Sequence, residues 1–494
     1  MIQWTGDPYV DIGLATILAF RDKDDPAQLT PEDLEDVAGW IFDNYMRDPL
    51  KSFLTVAFTS NAWFAHPSLT LERRQERGRR HLFAWQQGDA GDARCVFTGL
   101  PAAAPALSDK LTPGRGARAQ IPLTQGDEDI NFYPGGDTGL PISGEALLCL
   151  QAFPLGCAKV NGRLLAVHAS QPALTLAFAR EFLAINRQYI VIAQQAGEKK
   201  LPDTRYGIGT LLAERLTHIL AEGRYLADDD APFSITAYYL TNSGQSPEVA
   251  IYHLPLGVSR FLRLARTPRY SAAWERIVQA AWPREDKDAA GGKRRRSAQA
   301  GAKPAIRRNA LYEDLLRLPE DAPRFLRAYL LRDAKQQAKS LISAKPDAAT
   351  QSEPAAWALT ELFLREVMSM DKTRIEHIRA LGDRLAEYVS AENDRRFFRA
   401  FYTEQRYPLL RNALLKANLS AIRRSGRPLI TFEQFIEVFE EGEEIPYKDW
   451  KLARDLVLIR MVEQLAPWLS TNADVIPEAD TDELEDFVAT EEQP

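Results

Sequence analysis

A short basic segment rich in glycine and alanine divides this chain into two parts of different character. Residues 286–309 include the run GGKRRR at 291–296, and the stretch 291–310 carries seven basic groups and no acidic one. A segment of this composition has too few apolar side chains to bury a core, so it predicts a flexible linker. We therefore expect separately packed regions before and after it, within a chain of 494 residues.

Residues 1–285 carry the periodicities of a mixed α/β region. Thr30 is a typical helix N-cap and Asp33 stands three residues later, so the pair predicts a helix that runs to about Met46. Apolar side chains at helical spacing predict a long helix over 172–196.

Three apolar runs in the same region predict strands. Residues 164–168 form one, and the runs 233–240 and 248–254 are separated by Thr-Asn-Ser-Gly, which is typical of a hairpin turn. The segment 95–143 is instead rich in glycine, proline and alanine without a helical period. It predicts a loop-heavy module with short strands.

Beyond residue 310 the pattern changes to helices alone. Apolar residues recur at three- and four-residue spacing, and short Pro/Gly breaks separate several segments, which is typical of an up-and-down bundle over 310–470. The predicted helical segments are 311–317, 322–341, 354–391, 394–403, 408–424, 431–441 and 447–469. Together the two regions predict an α+β fold, followed by a disordered acidic tail at 471–494.

The charge of the chain is unevenly distributed. The formal net charge is -7, yet residues 474–494 alone hold nine acidic groups and no basic one, so the remainder is slightly positive. Five arginines fall within 73–80 against one glutamate, and nine basic groups fall within 395–427 against one. Each cluster alone could be a solvated face. Together with 291–310, they favour a polyanionic partner, because phosphate backbones respond to local basic density.

The chain lacks the signals of membrane and secreted proteins. No apolar run reaches about 18 residues, the length that spans a bilayer, and the first residues show no basic stretch followed by an apolar core. Three cysteines cannot build a disulfide scaffold for a chain of this length, and they suit a reducing compartment. We therefore expect a cytoplasmic protein without a membrane partner.

Sequence motifs of catalysis are missing. There is no phosphate loop of the G-x-x-x-x-G-K-[ST] type, no H-E-x-x-H zinc helix and no G-x-S-x-G nucleophile elbow. The Gly-Ile-Gly at 207–209 lacks a third glycine, and the aspartates at 228–230 fit a solvated turn better than a magnesium site. We expect no enzymatic activity and no cofactor, while a nuclease hidden in the N-terminal region stays an alternative.

Seven short motifs in the first 190 residues follow one another in an order that resembles a known family. They are WTGDPYVD at 4–11, NAWF at 61–64, CVFTG at 95–99, IPL at 121–123, INFYPGG at 130–136, GLPI at 139–142 and QAFPLGC at 151–157. As a set they resemble the CRISPR-associated CXXC-CXXC family, the large subunit of the type I-B Cascade effector complex. The second half of the chain resembles that family only in being helical.

The resemblance implies a non-catalytic protein that binds nucleic acid. Large subunits of this kind read the protospacer-adjacent motif in duplex DNA, aid R-loop formation and recruit a helicase–nuclease, while the guide reads the target sequence. The implied partners are crRNA, double-stranded target DNA, the CRISPR backbone and crRNA-handle-binding subunits, a small subunit and the helicase–nuclease. A transposon-associated version with transposition proteins, and a scaffold without motif recognition, remain alternatives.

The chain departs from the family at its zinc ligands. The resemblance implies two C-x-x-C pairs, which fall at Cys95 and Thr98 and at Ser143 and Ala146. Three of these four positions cannot supply a thiolate, and a structural zinc site needs four ligands. We therefore expect 95–146 to be a degenerate zinc-finger-like module that holds no metal.

Two sets of side chains are candidates for DNA contact. The amides of Asn131, Asn61 and Gln120 can pair with adenine edges, although each can also satisfy local backbone. Arginine and lysine side chains are better suited to phosphates. The phosphate candidates are Arg73, Arg74, Arg77, Lys159, Arg395, Arg396, Arg399, Arg423 and Arg424.

The resemblance also implies a small helical subunit, which can be encoded inside the gene of the large one. Met368 and Met370 stand together in a chain with five methionines. The preceding Arg-Glu-Val can be encoded with GGAGG, a bacterial ribosome-binding sequence. A start at this point would give a separate product of residues 370–494, which contains the basic stretch 395–427.

Overall fold

The structure, a computed structural model, is described for most of the chain in nine stretches. These are residues 2–130, 136–222, 232–242, 247–283, 306–343, 356–404, 406–439, 446–472 and 475–476. Asn131, the linker as far as residue 305 and the tail from 477 lie outside the described residues, so flexibility there stays a prediction. The predicted bounds are too wide at the described ends, because Asn309 is buried as the cap of α10 and Val475 is buried. The predicted α+β fold is confirmed, with small antiparallel sheets and a helical C-terminal region.

The described residues form two compact units. The first runs to Leu256 and includes the described residues just before Asn309, and the second comprises the rest. The division therefore falls earlier than the boundary at residue 285 that composition suggested. The physical reason is aromatic packing, since the Phe261 ring lies 5.4 Å from both the Trp274 and the Phe363 rings, inside the second unit.

The helices and strands of the first unit follow the sequence pattern closely. Its helices are α1 (Pro8–Phe20), α2 (Pro31–Asn44), α3 (Leu50–Ala57), α4 (Leu71–Leu82), α5 (Gly144–Ala152), α6 (Pro172–Ala196) and α7 (Ile208–Glu222). Its strands are β1 (Asp89–Arg94), β2 (Pro101–Ala103), β3 (Arg115–Gly116), β4 (Leu140–Pro141), β5 (Ala158–Val160), β6 (Arg163–Ala169), β7 (Ile235–Thr241) and β8 (Glu248–Leu254).

The strands make one larger antiparallel sheet and two short pairs. The sheet has the order β5-β6-β7-β8, and the predicted hairpin is its β7–β8 pair, with Tyr238 opposite Ile251. The strands β2, β3 and β4 lie in the loop-heavy segment 95–143 that composition predicted, whereas β1 ends just before that segment begins. Long loops between these short strands place the degenerate zinc module beside the start of α5.

Two predicted helices are confirmed by their ends. Thr30 Oγ1 accepts a hydrogen bond from the Asp33 amide at 3.3 Å, and Asp33 Oδ2 accepts one from the Thr30 amide at 2.8 Å, so the capping box of α2 is complete. The helix α6 ends at Gly197, whose φ of 68° is a left-handed conformation that glycine adopts without strain.

The core of the first unit is built around α1. Its residues from Val10 to Leu18 are all buried, and it packs against α5 and α6. The contact with α5 is close, because a Cβ atom added at Gly13 would lie 2.0 Å from the Cys149 carbonyl oxygen. The first helix of the chain therefore lies in the middle of its unit and depends on residues more than a hundred positions later.

The second unit is helical throughout its described residues. Its helices are α8 (Leu256–Ala265), α9 (Ser271–Ala280), α10 (Ala310–Asp314), α11 (Ala322–Phe325), α12 (Arg332–Ser343), α13 (Ala356–Glu366), α14 (Lys372–Glu392), α15 (Arg395–Thr403), α16 (Tyr407–Ser425), α17 (Phe432–Phe439), α18 (Pro446–Gln464) and α19 (Ala466–Thr471). A π-helical turn, Leu326–Leu331, joins α11 to α12. Among the residues that the structure describes, no helix combines the length and the hydropathy that a bilayer crossing requires.

Two predicted helices of the second unit are each divided in two. The segment 447–469 divides at Leu465 into α18 and α19. The segment 354–391 breaks after Glu366, where Ser369 adopts a positive φ of 50°. Asp371 then caps α14, since its Oδ1 accepts hydrogen bonds from the amides of Thr373 and Arg374 at 2.8 and 3.3 Å. The periodicity continued across the break, which is why sequence spacing alone missed it.

Candidate nucleic-acid interface

The predicted arginines of α4 lie on a helix that is tied to its surroundings. Arg74 Nε donates a 3.0 Å hydrogen bond to the His66 carbonyl oxygen, and the Arg77 guanidinium pairs with Asp109. Arg73 is exposed in the first turn. Two of the three guanidinium groups therefore already have partners within the first unit, and α4 is the weaker of the candidate phosphate surfaces.

Gln120 is buried, contrary to the expectation that it faces a DNA groove. It is 6% exposed, and its Oε1 accepts a 3.0 Å hydrogen bond from the Ala117 amide. Its Nε2 lies 3.2 Å from the Leu107 carbonyl oxygen and 3.3 Å from His81 Nε2. Because these contacts occupy the amide, we correct the prediction and assign Gln120 to the packing of the loop module against α4.

His81 completes this buried contact in one tautomer. Its Nδ1 lies 2.7 Å from the Arg77 carbonyl oxygen, so Nδ1–H donates there and Nε2 is left to accept from Gln120. Burial lowers the pKa of His81 to about 4, because the imidazolium would lose its hydration. A proton on Nε2 would also face the Gln120 amino group.

We expect the free energy of unfolding to fall as pH drops from about 6.5 to about 4. In this interval the folded imidazole of His81 stays neutral while the unfolded one binds a proton, so the unfolded state is favoured by up to about 3 kcal/mol. Urea unfolding measured at several pH values checks this. The variant His81→Gln should flatten the pH dependence, whereas exposed His253→Gln should leave it unchanged; equal slopes for wild type and His81→Gln would contradict the assignment.

Lys159 is likewise engaged inside the first unit. Its Nζ donates a 2.6 Å hydrogen bond to the Leu201 carbonyl oxygen and lies 3.6 Å from Asp203 Oδ1. The side chain is 14% exposed. Its predicted role at a DNA phosphate is therefore corrected, since the ammonium group holds the 201–203 segment against β5.

Of the two asparagine candidates for DNA contact, only Asn61 lies among the described residues. Asn61 is exposed in the turn before Trp63, and its backbone N–H donates a 3.3 Å hydrogen bond to Thr59 Oγ1. Asn131 lies outside the described residues. Its flanks do meet, because Ile130 and Thr138 form an antiparallel β-bridge. Asn61 therefore remains accessible to a partner, and the prediction for Asn131 stays a prediction.

The four positions that the resemblance assigned to zinc ligands lie together. Thr98 Oγ1 is 3.4 Å from Ser143 Oγ, although 45 residues separate them in sequence. Ser143 caps α5 and accepts a 3.3 Å hydrogen bond from the Ala146 amide. Cys95 lies in the same tight turn as Thr98, since its carbonyl oxygen accepts from the Gly99 amide at 2.9 Å. The two segments that hold these four positions therefore meet at the start of α5.

The residues present do not fit a zinc ion. The four positions offer one thiol, two hydroxyls and a methyl group, whereas a closed site takes four nitrogen or sulfur ligands. Burial raises the pKa of the Cys149 and Cys157 thiols, which keeps both protonated. In the part of the chain that the structure describes, no three histidine, cysteine or carboxylate side chains form a metal-binding group.

The arginines of α15 form an exposed basic face. Arg395, Arg396 and Arg399 are exposed, while the aromatic side chains of the helix point into the core. These buried side chains are Phe397, Phe398, Phe401 and Tyr402. The amphipathic division is therefore sharp, and Asp394 fixes the start of the helix by accepting a 2.9 Å hydrogen bond from the Phe397 amide.

The arginines at the end of α16 lie beside those of α15. Arg423 is exposed, and Arg424 forms an ion pair with Glu392, which stands three residues before Arg395. This pair brings the C-terminal end of α16 next to the N-terminal end of α15. Two arginine groups that the sequence separates by more than twenty residues therefore share one region, which we call the α15–α16 basic face.

Lys416 is an exposed member of this face, although it was not among the predicted phosphate contacts. Lys416 lies two helical turns before Arg423, so both project from the same side of α16. The seven-residue spacing of Lys416 and Arg423 is visible in the sequence and predicts that they share one side of a helix. No acidic residue occurs in α16, so every exposed charge on this helix is positive. Such a surface suits the backbone of a nucleic acid.

Searches against protein-family models, curated proteins and solved structures return no match to this chain. The functional interpretation therefore rests on the residues and their geometry. Two features of the described residues bear on function: the exposed basic face of α15 and α16, and the proximity of Thr98 and Ser143.

Proposed function

We propose that this chain is a non-catalytic, DNA-recognising large subunit of a crRNA-guided surveillance complex of the type I-B kind. The observation that supports it best is the proximity of Thr98 and Ser143, because the family resemblance is what pairs these two distant positions. The motif order in the first 190 residues supports the same assignment. The proposed role is to recognise the protospacer-adjacent motif, aid R-loop formation and recruit a downstream effector.

In this proposal the two units have different tasks. The loop-rich module of the first unit offers short polar side chains such as Asn61 to a duplex, and these carry motif recognition. The α15–α16 basic face contacts phosphates, which position a nucleic acid without reading its sequence. Affinity should therefore depend mainly on the second unit and motif choice on the first.

The proposal is tested by co-expression with the genes that flank this one. A complex that contains crRNA and binds duplex DNA only beside a particular short motif supports it. Binding without motif preference would favour a scaffold, and metal-dependent cleavage by the isolated chain would favour a nuclease. Transposition proteins in place of a helicase–nuclease among the flanking genes would point to guided integration.

We expect Asn131→Ala to impair binding of duplex targets more than binding of targets already single-stranded near the motif. A guide can pair with an open strand unaided, so a motif-reading side chain matters chiefly while the duplex is closed. Binding of both substrates by the assembled complex is the measurement, with Asn161→Ala as a matched loop control. Equal losses on both substrates would assign Asn131 to the folding of its loop.

We also propose that the gene yields a second product of residues 370–494. Met368 and Met370 lie in the break between α13 and α14, so this product would begin immediately before the capped start of a helix. Silent recoding of 365–367 together with Met368→Leu and Met370→Leu should remove the short product while the full-length chain persists. Expression of the native codons without a short band would exclude the internal start.

A further inference from the structure

The helix α16 carries a second apolar face in addition to the one that enters the core. Leu415, Leu419 and Ile422 are 51%, 55% and 41% exposed, and their four- and three-residue spacing places them on one face. The core face is formed by Leu410, Leu414, Ala417 and Ala421. We call the three exposed residues the leucine stripe.

Positive charge borders the leucine stripe. Lys416 lies three residues before Leu419 and Arg423 four residues after it, so both flank the centre of the stripe and both are exposed. The residues that fit this surface are apolar side chains bordered by carboxylates. A second copy of the chain fits poorly, because two stripes facing each other would oppose like charges.

The C-terminal tail has the complementary pattern. Leu484, Phe487 and Val488 stand at i, i+3 and i+4, and Asp480 stands three residues before Glu483 as in a helix-starting capping box. The acidic residues from 477 onward are Glu478, Asp480, Asp482, Glu483, Glu485, Asp486, Glu491 and Glu492. The tail is expected to be disordered by itself, but this pattern would give a helix with one apolar face when an apolar surface covers it.

The tail begins close to the leucine stripe. Val475 is buried, and its carbonyl oxygen accepts a 3.4 Å hydrogen bond from Arg399 Nε on α15. Trp468 Nε1 donates a 3.0 Å hydrogen bond to Asn393 Oδ1, next to the Glu392 that pairs with Arg424. The last described residues therefore lie where α15 begins and α16 ends.

The length of the tail is sufficient. The extended residues from Ile476 to Asp480 span up to about 14 Å, and the helical residues from Asp480 to Leu484 add about 6 Å, which gives about 20 Å in all. The leucine stripe extends back along α16 from Arg424 by only about 14 Å, since an α-helix rises about 1.5 Å per residue. The apolar positions of the tail can therefore reach every residue of the stripe.

We propose that residues 480–492 fold as an amphipathic helix on the leucine stripe of α16. Leu484, Phe487 and Val488 cover the stripe, and the carboxylates of the tail lie against Lys416 and Arg423. The docked tail then occupies part of the α15–α16 basic face and competes with nucleic acid for it. The docking stands independently, whereas the competition rests on the proposed function.

Cysteine cross-linking in the full chain tests the docking. The native thiols of Cys95, Cys149 and Cys157 are buried, so an introduced pair reports cleanly under mild oxidation. The pair Leu419→Cys with Val488→Cys should form an intramolecular disulfide at least tenfold faster than the control pair Leu409→Cys with Val488→Cys. Leu409 lies on the same helix but outside the leucine stripe. Equal rates would overturn the proposal, and disulfide-linked dimers would indicate a second copy instead.

A second variant separates docking from competition. Replacing Leu484, Phe487 and Val488 by serine keeps all the tail charges and removes only its apolar face. We expect helix α16 to exchange its amide hydrogens at least fivefold faster in this variant, and binding of a DNA duplex at 0.1 M salt to become about fivefold tighter. Unchanged exchange would overturn docking. Faster exchange with no change in DNA binding would support docking and contradict the role of this face in DNA binding.

Discussion

Replacing Arg395, Arg396, Arg399, Arg423 and Arg424 together by glutamine is expected to weaken binding of duplex DNA by roughly three orders of magnitude near 0.1 M salt. Each phosphate that an arginine neutralises releases counterions and contributes about 0.9 to the slope of log affinity against log salt. Three to five such contacts should therefore lower that slope by about 3 to 4.5. Arg424 is already paired with Glu392, and Arg399 Nε already donates to the Val475 carbonyl oxygen, so these two arginines are expected to contribute less than full phosphate contacts.

The order of motif preference should not change in this variant. Phosphate contacts position a protein on a duplex, while motif choice depends on base-edge contacts elsewhere. A matched control removes five other exposed basic groups, Arg205, Arg269, Arg365, Lys372 and Lys451, and tests whether net charge alone matters. Equal loss of affinity and salt slope in both variants would show that the α15–α16 basic face has no special role.

Restoring cysteine at three positions is expected to create a zinc site. The variant Thr98→Cys, Ser143→Cys and Ala146→Cys, together with native Cys95, should bind one zinc ion per chain, whereas the wild-type chain should bind none stoichiometrically. Thr98 Oγ1 and Ser143 Oγ lie 3.4 Å apart. Two thiolates on a tetrahedral zinc ion are separated by about 3.8 Å, given Zn–S bonds of ~2.3 Å, so little movement is required.

The expected effect is large because metal binding adds directly to folding stability. Structural zinc sites in small peptides bind with about 10–16 kcal/mol. Elemental analysis after dialysis against a mild chelator measures the zinc, and cobalt substitution shows whether the ligands are tetrahedral thiolates. The same variant with Cys95→Ser has three ligands and should lose the metal to the chelator. A folded four-cysteine chain without zinc would remove the main support for the family resemblance.

Structural features that depend on residues close in sequence could be predicted from the sequence. The capping box at Thr30 and the helix up to Gly197 depend on neighbours within one or two turns, and both were predicted within two residues. The hairpin β7–β8 was predicted for the same reason. The break before α14 was missed, because a positive φ at Ser369 leaves no trace in the spacing of apolar residues.

The errors at the site concern burial, which depends on distant residues. Gln120 contacts His81, and Lys159 donates a hydrogen bond to the Leu201 carbonyl oxygen. Because each partner is about forty residues away in sequence, neither contact could be predicted from local spacing. Charge counting did find both arginine groups of the α15–α16 basic face. It could not place them side by side, because that depends on the ion pair between Arg424 and Glu392.

The central position of α1 has a consequence for how the chain is made. A ribosome releases α1 before the helices that cover it, since α5 and α6 end at Ala152 and Ala196. Until those residues emerge, the apolar side chains around Val10 are not covered by α5 and α6 in the nascent chain. The first unit therefore cannot complete its core before Ala196 has been synthesised, and removal of α1 would leave that core without its central helix.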